Sequence, residues 1–501
     1  MIDRELDIEF LKLGKNETLR QDSEKAFADY VYLIGFNIAS IAISFLTVKI
    51  LTGILSTEKY GIIAIFLMVT QITSILVFVW TDTAYMRLGK EEFEEKDNLR
   101  KAFWTRIIII LPFYLIILFG AIPFRFKISD YIGIPQWGFW VLSLYMIIFT
   151  FNNIITQTFQ IIRKIRTYGF LQVIEKVIYL LLLLLWFGMI DYGASPIYVI
   201  MILTITGLVM LIINCSRINI TSFLPITVSR DFLIKFLTFS IPFILGTFSS
   251  YLGRWADLFL INHYLTKGDV GLYFLAFQLN SIFVTISISF GIAVSPRIIA
   301  IYTANRIDLL RKYFINIVPL AFLLWGYFLS LTFILLKWGF PILFNKDYNL
   351  ALLPFSIFFI GTSFNILTVS CGSILLAYKK SWVIFRITVI TSLIYLVGDL
   401  ILIRQFGIKG ATISACISGV FAGVWTAFAA AKELNINFRS ILIYSFPYIS
   451  VFILSQQGIA PSIKIFCYIG LALIGWVYIR RMINGEANQI LMSIKVPLFT
   501  R

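Results

Sequence analysis

Residues 49–69 read KILTGILSTEKYGIIAIFLMV, and residues 251–279 read YLGRWADLFLINHYLTKGDVGLYFLAFQL. These stretches decide the fold, because the second echoes the first. Leu55 and Gly61 recur as Leu265 and Gly271. Further on, Arg87, Leu99 and Lys101 recur as Arg297, Leu309 and Arg311, every pair 210 positions apart. Both copies lie among apolar runs of membrane length. Duplicated bundles of such helices are a frequent construction for transporters. Transport is therefore the leading class before any single residue is weighed.

Composition points the same way. Of the 501 residues, 59% are hydrophobic and only 14% charged, against about 25% charged in soluble domains. Water cannot be the solvent for that much apolar surface, so lipid is. The net charge of +16 would suggest nucleic acid in a soluble protein. Here the cations sit mainly in short loops between spans, and no long basic tract with interleaved aromatics exists, so nucleic acid is excluded as a partner. Cys215, Cys371, Cys416 and Cys467 lie in or beside apolar runs without a CxxC spacing, and read as packing residues.

Apolar runs of roughly 18–25 residues predict about fourteen spans. They lie near 29–53, 60–82, 103–122, 138–161, 169–190 and 195–215, then 236–263, 270–294, 313–337, 351–376, 382–403 and 409–431. Two more follow near 441–457 and 461–479. One set of alternate loops carries about 28 Lys and Arg, the other about 10, with about four left inside spans. The positive-inside rule then places both termini in the cytoplasm of a multi-pass protein of the cell (plasma or inner) membrane. The sequence divides into a cytoplasmic N-terminal segment (1–28), a first lobe (29–215), a cytoplasmic linker (216–235), a second lobe (236–431), two further spans (432–479) and a cytoplasmic tail (480–501). In the N-terminal segment Ile2, Leu6, Phe10 and Leu13 recur at helical spacing among acidic residues. A surface helix and a partly ordered tail both fit that pattern.

The repeat extends past its opening. Phe151–Asn152 resembles Phe364–Asn365, Arg163–Lys164 is matched by Lys379–Lys380, and Gly193–Ala194 by Gly410–Ala411. Each unit holds six spans, and an even number returns the chain to the same side. The repeats are thus parallel, about an axis along the membrane normal.

The stretches quoted above, together with RQFGIKGATISACIS at residues 404–418, resemble the polysaccharide-transport branch of the MATE-like flippase superfamily, the Wzx-type O-antigen flippases. The most specific part is Asp257 followed by an apolar run and Val270–Tyr273. The resemblance covers residues 30–480. It implies an all-α polytopic protein of two six-helix lobes in a V-shaped bundle, with two extra C-terminal helices. It implies no catalysis and no cofactor. The cargo it implies is a polyprenyl-diphosphate-linked oligosaccharide (an O-antigen, capsule or exopolysaccharide repeat unit), moved from the inner to the outer leaflet by alternating access coupled to H+ or Na+. A polysaccharide polymerase and assembly proteins are the expected partners.

Sheltering a sugar and a diphosphate across about 30 Å of hydrocarbon needs a wet polar interior and cations for the phosphates. Charges inside spans are the first candidates, since each costs a few kcal/mol at a helix centre. Gly246, Ser250, Arg254 and Asp257 share one face of the seventh span. Arg254 offers forked donors to phosphate; Asp257 either holds it or takes the coupling ion. A self-neutralised pair fits the same spacing. Glu175 and Lys176 are neighbours about 100° apart on the fifth span, so they do not simply face each other. Lys176 is read as an anion contact and Glu175 as an ion-coupling group, with snorkelling as the rival for Lys176. Arg386 is the third candidate anion contact, although its shallow depth favours snorkelling. Asp399, deeper in that span, is a third candidate for ion coupling. Asn153, Gln157 and Gln160 share a face of the fourth span; Gln278, Ser281, Thr285 and Ser289 share one in the eighth. With Ser250, the amides Asn153, Gln157, Gln160 and Gln278 are the candidate sugar contacts, and interhelical glue is the alternative. Pro112, Pro242 and Pro319 are read as possible bends. His263, the one histidine, sits at the outer end of a span and reads as structural.

Two other functions compete. A drug or metabolite cation antiporter of the same fold would line its cavity with carboxylates, and Arg254 and Lys176 tilt against it. A membrane polysaccharide polymerase or ligase would need a sizeable outer loop, and the outer loops here are short. At the offsets of the repeat, Arg254 and Asp257 correspond to Ser44 and Thr47, and Lys176 to Ser392. The loop charges are duplicated and the buried ones are not.

Overall fold

A computed structural model describes residues 32–189, 195–218 and 223–436, together with 469, 470 and 473. The N-terminal segment 1–28, the expected spans at 441–457 and 461–479, and the tail from 480 lie outside the described residues. Among the described residues all regular structure is helical. The helices are α1 (Tyr32–Ile54), α2 (Thr57–Val77), α3 (Asp82–Lys96), α4 (Arg100–Ala121), α5 (Arg125–Ile132), α6 (Gly138–Ile161), α7 (Ile165–Met189) and α8 (Pro196–Arg217). They continue with α9 (Arg230–Tyr264), α10 (Lys267–Thr303), α11 (Ile307–Lys312), α12 (Val318–Leu343), α13 (Leu352–Ala377), α14 (Ser381–Phe406) and α15 (Ile408–Leu434). Eleven helical stretches among the described residues are long and apolar enough to cross a membrane.

The expected spans fall on these helices, but several helices overrun them. With 37 residues, α10 extends about 55 Å, well beyond a hydrocarbon core of about 30 Å. Its start is fixed by a capping box: Thr266 Oγ1 accepts from the Asp269 amide, and Asp269 accepts in return from the Thr266 amide. Pro319 lies inside a helical stretch that runs without a break from Ile307 to Leu343, two residues after a π-helical turn at Tyr313–Ile317, where the wider turn accommodates the amide donor that proline lacks. Pro112 lies inside α4.

The chain forms two compact units, one of residues 1–50 and 73–243, the other of 51–72 and 244–501. In the first, the second expected span does not run straight to Asp82. It breaks at Phe78 (φ −141°) into a 3₁₀ turn at Val79–Thr81 before α3 starts. The Thr81 hydroxyl donates to the Phe78 carbonyl at 2.6 Å and replaces part of the lost helical bonding. The N-terminus of α4 is capped from α3: the buried Glu92 carboxylate accepts from the amides of Lys101 (2.9 Å) and Ala102 (2.8 Å). A carboxylate there satisfies amides that the helix cannot and opposes the helix dipole. Phe78, Tyr85, Leu88, Ile109, Ile154 and Phe236 are among the residues that fill the core between these elements.

In the second unit the two halves of the sequence repeat meet. A Cβ on Gly61 would lie 1.9 Å from the Lys267 carbonyl oxygen, and one on Gly271 would lie 2.0 Å from the Thr57 carbonyl oxygen. Thr57 and Lys267 are themselves 210 apart, so the contact is reciprocal at the offset of the repeat. Only glycine permits backbones to approach this closely. Around it Tyr60 donates to Gln278 Oε1 (2.7 Å), Tyr348 to the Leu55 carbonyl (3.0 Å) and Asn345 to the Gly53 carbonyl (3.0 Å). Close packing of small residues also joins α13 to α15, where a Cβ on Gly419 would lie 3.2 Å from the Gly361 carbonyl oxygen.

Candidate functional site

Two polar clusters lie among the helices, one in each unit. In the second unit, Asp257 from α9 meets Tyr273 from α10 and Tyr395 from α14. Both tyrosine hydroxyls donate to the same carboxylate oxygen, Tyr395 at 2.8 Å and Tyr273 at short range. The other oxygen accepts from the Leu258 amide at 2.6 Å. Asp257 is fully buried, and so is Asp399, one turn beyond Tyr395 on α14. The two carboxylates interact electrostatically, and Ser414 lies beside Asp399, yet among the described residues neither oxygen of Asp399 accepts a well-formed hydrogen bond. Ser414 on α15 faces the same region and donates to the Tyr395 carbonyl at 2.7 Å; a Cβ on Gly398 would collide with its Oγ. An ionised carboxylate buried without partners is costly. The arrangement fits an acid pair that takes up one proton or one monovalent cation.

In the first unit, the guanidinium of Arg106 on α4 is fully buried. It pairs with Asp82 at the start of α3 at short range, donates from Nη1 to Gln157 Oε1 at 2.7 Å, and lies 4.6 Å over the ring of Tyr85. Gln157 in turn donates to Asn153 Oδ1 at 2.9 Å. Tyr85 is held by Thr158 at 2.7 Å. The helix break at Phe78 is what brings Asp82 to Arg106: it sets Asp82 at the head of a new helix, where a carboxylate is favourable.

The residues singled out in the sequence therefore fall into groups. Asp257 and Asp399 come together, as do Asn153 and Gln157. Arg254 and Ser250 belong to α9, three and seven residues before Asp257, but their side chains lie outside the described residues. Glu175 and Lys176 approach each other at 4.0 Å, the limit of an ion pair, with side chains 49% and 43% exposed. Arg386 is exposed near the start of α14, and Gln160 is half-buried on α6. Gln278 is occupied by Tyr60. Ser281 and Thr285 spend their hydroxyl protons on carbonyls of their own helix, at 2.7 and 2.8 Å, and remain acceptors only. Arg106, Asp82, Tyr273 and Tyr395 were missed. Arg106 was one of the few cations inside a span, and that alone was a signal. Tyr273 stood only in the pattern that follows Asp257, with no role of its own, and Tyr395 carried no signal, because a tyrosine in an apolar run looks like packing.

A profile of the family described as polysaccharide biosynthesis protein matches residues 50–325, more than half of the chain. Among solved structures, the chain is similar to the lipid II flippase MurJ in an inward closed conformation. Identity there is 16% and the TM-score 0.68, with 90% of this chain and 100% of that one covered. It is also similar to an inward-facing multidrug resistance MATE family transporter of the MOP superfamily, at 13% identity and a TM-score of 0.63, covering 81% of this chain and 98% of that one. An outward-facing structure of such a transporter matches at 14% identity and a TM-score of 0.54, over 81% and 96% of the two chains. At these identities the likeness shows the fold. No curated protein matches the chain in sequence. The matched half and the helical arrangement lead to one assignment: the chain belongs to the polysaccharide biosynthesis protein family and has the fold of the MATE-like flippases and transporters.

Proposed function

We propose that this protein is a flippase that moves a polyprenyl-diphosphate-linked oligosaccharide from the inner to the outer leaflet of the cell membrane by ion-coupled alternating access. The observation that carries the reading is the family match over residues 50–325 on a fold shared with a lipid II flippase. The work breaks no covalent bond, so the protein is no enzyme. The full chain spans the membrane about fourteen times with both termini in the cytoplasm, as the loop charges require.

Each cluster has a part. The Asp257–Asp399 pair is the coupling site: a proton or monovalent cation neutralises it, and the two tyrosine hydroxyls hold the remaining charge. The cations Arg254, Lys176 and Arg386 compensate the diphosphate, and the amides of α6 meet the sugar. A cation antiporter is the second reading, favoured by the buried carboxylates and the MATE-like fold. Depleting the protein in its host separates the two. A flippase leaves lipid-linked oligosaccharide in the membrane and the surface without polysaccharide, with drug tolerance unchanged. Normal polysaccharide with heightened sensitivity to cationic drugs would instead show the antiporter.

A further inference from the structure

The cluster around Arg106 has a direction that chemistry imposes. A guanidinium carries donors only. The atom of Gln157 facing Arg106 Nη1 at 2.7 Å must therefore be the carbonyl oxygen, and the amide orientation is not free. The Gln157 nitrogen then donates to the acceptors beside it, the Asp82 carboxylate and Asn153 at 2.9 Å, so the Asn153 atom it meets must be Oδ1. That leaves Asn153 Nδ2 at the open end of the chain. Asn153 is half-buried, Nδ2 donates to no described residue, and it is not among the sealed, unpartnered atoms. A buried cation at one end thus fixes a hydrogen-bond donor at the other. Asp82 neutralises the cation without reversing the chain.

We propose that Arg106 is a positioning residue that makes Asn153 a one-way donor, and that Asn153 binds an acceptor-only oxygen of the transported headgroup. Phosphate, carboxylate and N-acyl carbonyl oxygens share that chemistry. A hydroxyl can donate or accept and would need no such fixing. The proposal rests on the flippase reading and adds which kind of group the N-terminal unit selects.

The test uses the full chain in cells whose surface polysaccharide is made after induction, with the initial rate taken per membrane-inserted protein. The deletion strain tests the flippase reading: polysaccharide made at the normal rate without the protein overturns that reading and this proposal together. With the deletion silent, Asn153→Leu is expected to slow the rate about tenfold, the worth of a hydrogen bond to a charged acceptor, and Asn153→Asp at least as much. An Asn153→Asp rate near wild type, or above that of Asn153→Leu, overturns the proposal and leaves the flippase reading standing. Gln157→Glu still accepts from Arg106 but cannot donate to Asn153, which then turns its nitrogen toward position 157; it is expected to slow the rate about as much as Asn153→Leu and to add little when combined with Asn153→Leu. A Gln157→Glu rate near wild type, or a loss that adds in full to that of Asn153→Leu, removes Arg106 from its role. Native mass spectrometry with polyprenyl diphosphate lacking sugar then locates the acceptor. Weaker binding in Asn153→Asp assigns it to the diphosphate; unchanged binding beside a slowed rate assigns it to the sugar.

Discussion

Replacing Gly61 by Ala places a methyl 1.9 Å from the Lys267 carbonyl oxygen, and replacing Gly271 places one 2.0 Å from that of Thr57. Real Cβ atoms essentially never approach below 3.0 Å, so either change must push α2 and α10 apart by about 1 Å. The obstructing atoms are backbone, which no rotamer change can move aside. Overpacking of this kind costs roughly 1–3 kcal/mol. Independent sites would together cost the sum, roughly 2–6 kcal/mol. The reciprocal geometry says otherwise, because one separation of the two helices relieves both clashes. The double variant should therefore cost little more than either single, leaving a coupling of roughly 1–3 kcal/mol. The assay is unfolding of the detergent-purified wild type, both single variants and the double, followed by tryptophan fluorescence. Additive losses, or a neutral Gly61→Ala, would refute the close approach of the repeat to itself.

Three further outcomes follow, two from the polar clusters and one from an exposed ion pair. Arg106→Met strands the Asp82 carboxylate and should cost roughly 3–5 kcal/mol, while Asp82→Asn with Arg106→Met removes both charges and should recover most of it in the same unfolding assay. Asp257→Asn and Asp399→Asn should each insert normally yet abolish the response of polysaccharide export to an ionophore that collapses the ion gradient; a retained response would free both residues from coupling. Between α3 and α9, Glu91 is held below its ordinary value of 4.5 by the Lys235 ammonium at 2.9 Å, with Arg87 adding to it. A depressed carboxylate stabilises the fold above the ordinary value and loses that stability as pH falls through the lowered one. Since these side chains are 42–62% exposed, solvent screens the pairs and the effect is under about 1 kcal/mol. Glu91→Gln should flatten that small loss in stability measured against pH below 4.5.

Much of the fold was legible because lipid imposes one rule: backbone polar groups must be satisfied within each helix. Long apolar runs thus had to be helices, and twelve of the expected spans lie on helices found here. Their ends were less legible. The overrun of α10 follows Ser295–Pro296–Arg297, where a proline and a cation close the apolar run, yet the helix continues to Thr303. The break at Phe78 was invisible, since Phe78, Val79 and Trp80 carry no proline or glycine and the turn is held by Thr81 and tertiary packing. That break explains the missed Arg106. In the sequence its partner Asp82 reads as the end of a straight span, 24 residues away. Asp257 and Asp399 were legible as costly charges, but their meeting through Tyr273 and Tyr395 depends on three helices crossing, which no local pattern encodes.

The central claim is leaflet transfer of a lipid-linked oligosaccharide, and vesicles reconstituted with the purified protein test it most directly. The lipid-linked oligosaccharide is loaded on one leaflet, and its appearance on the other is read with a lectin that cannot cross the bilayer. The account predicts transfer that requires the protein, accelerates with an imposed proton or sodium gradient, and loses that acceleration in Asp257→Asn. Transfer no faster than in protein-free vesicles would contradict it.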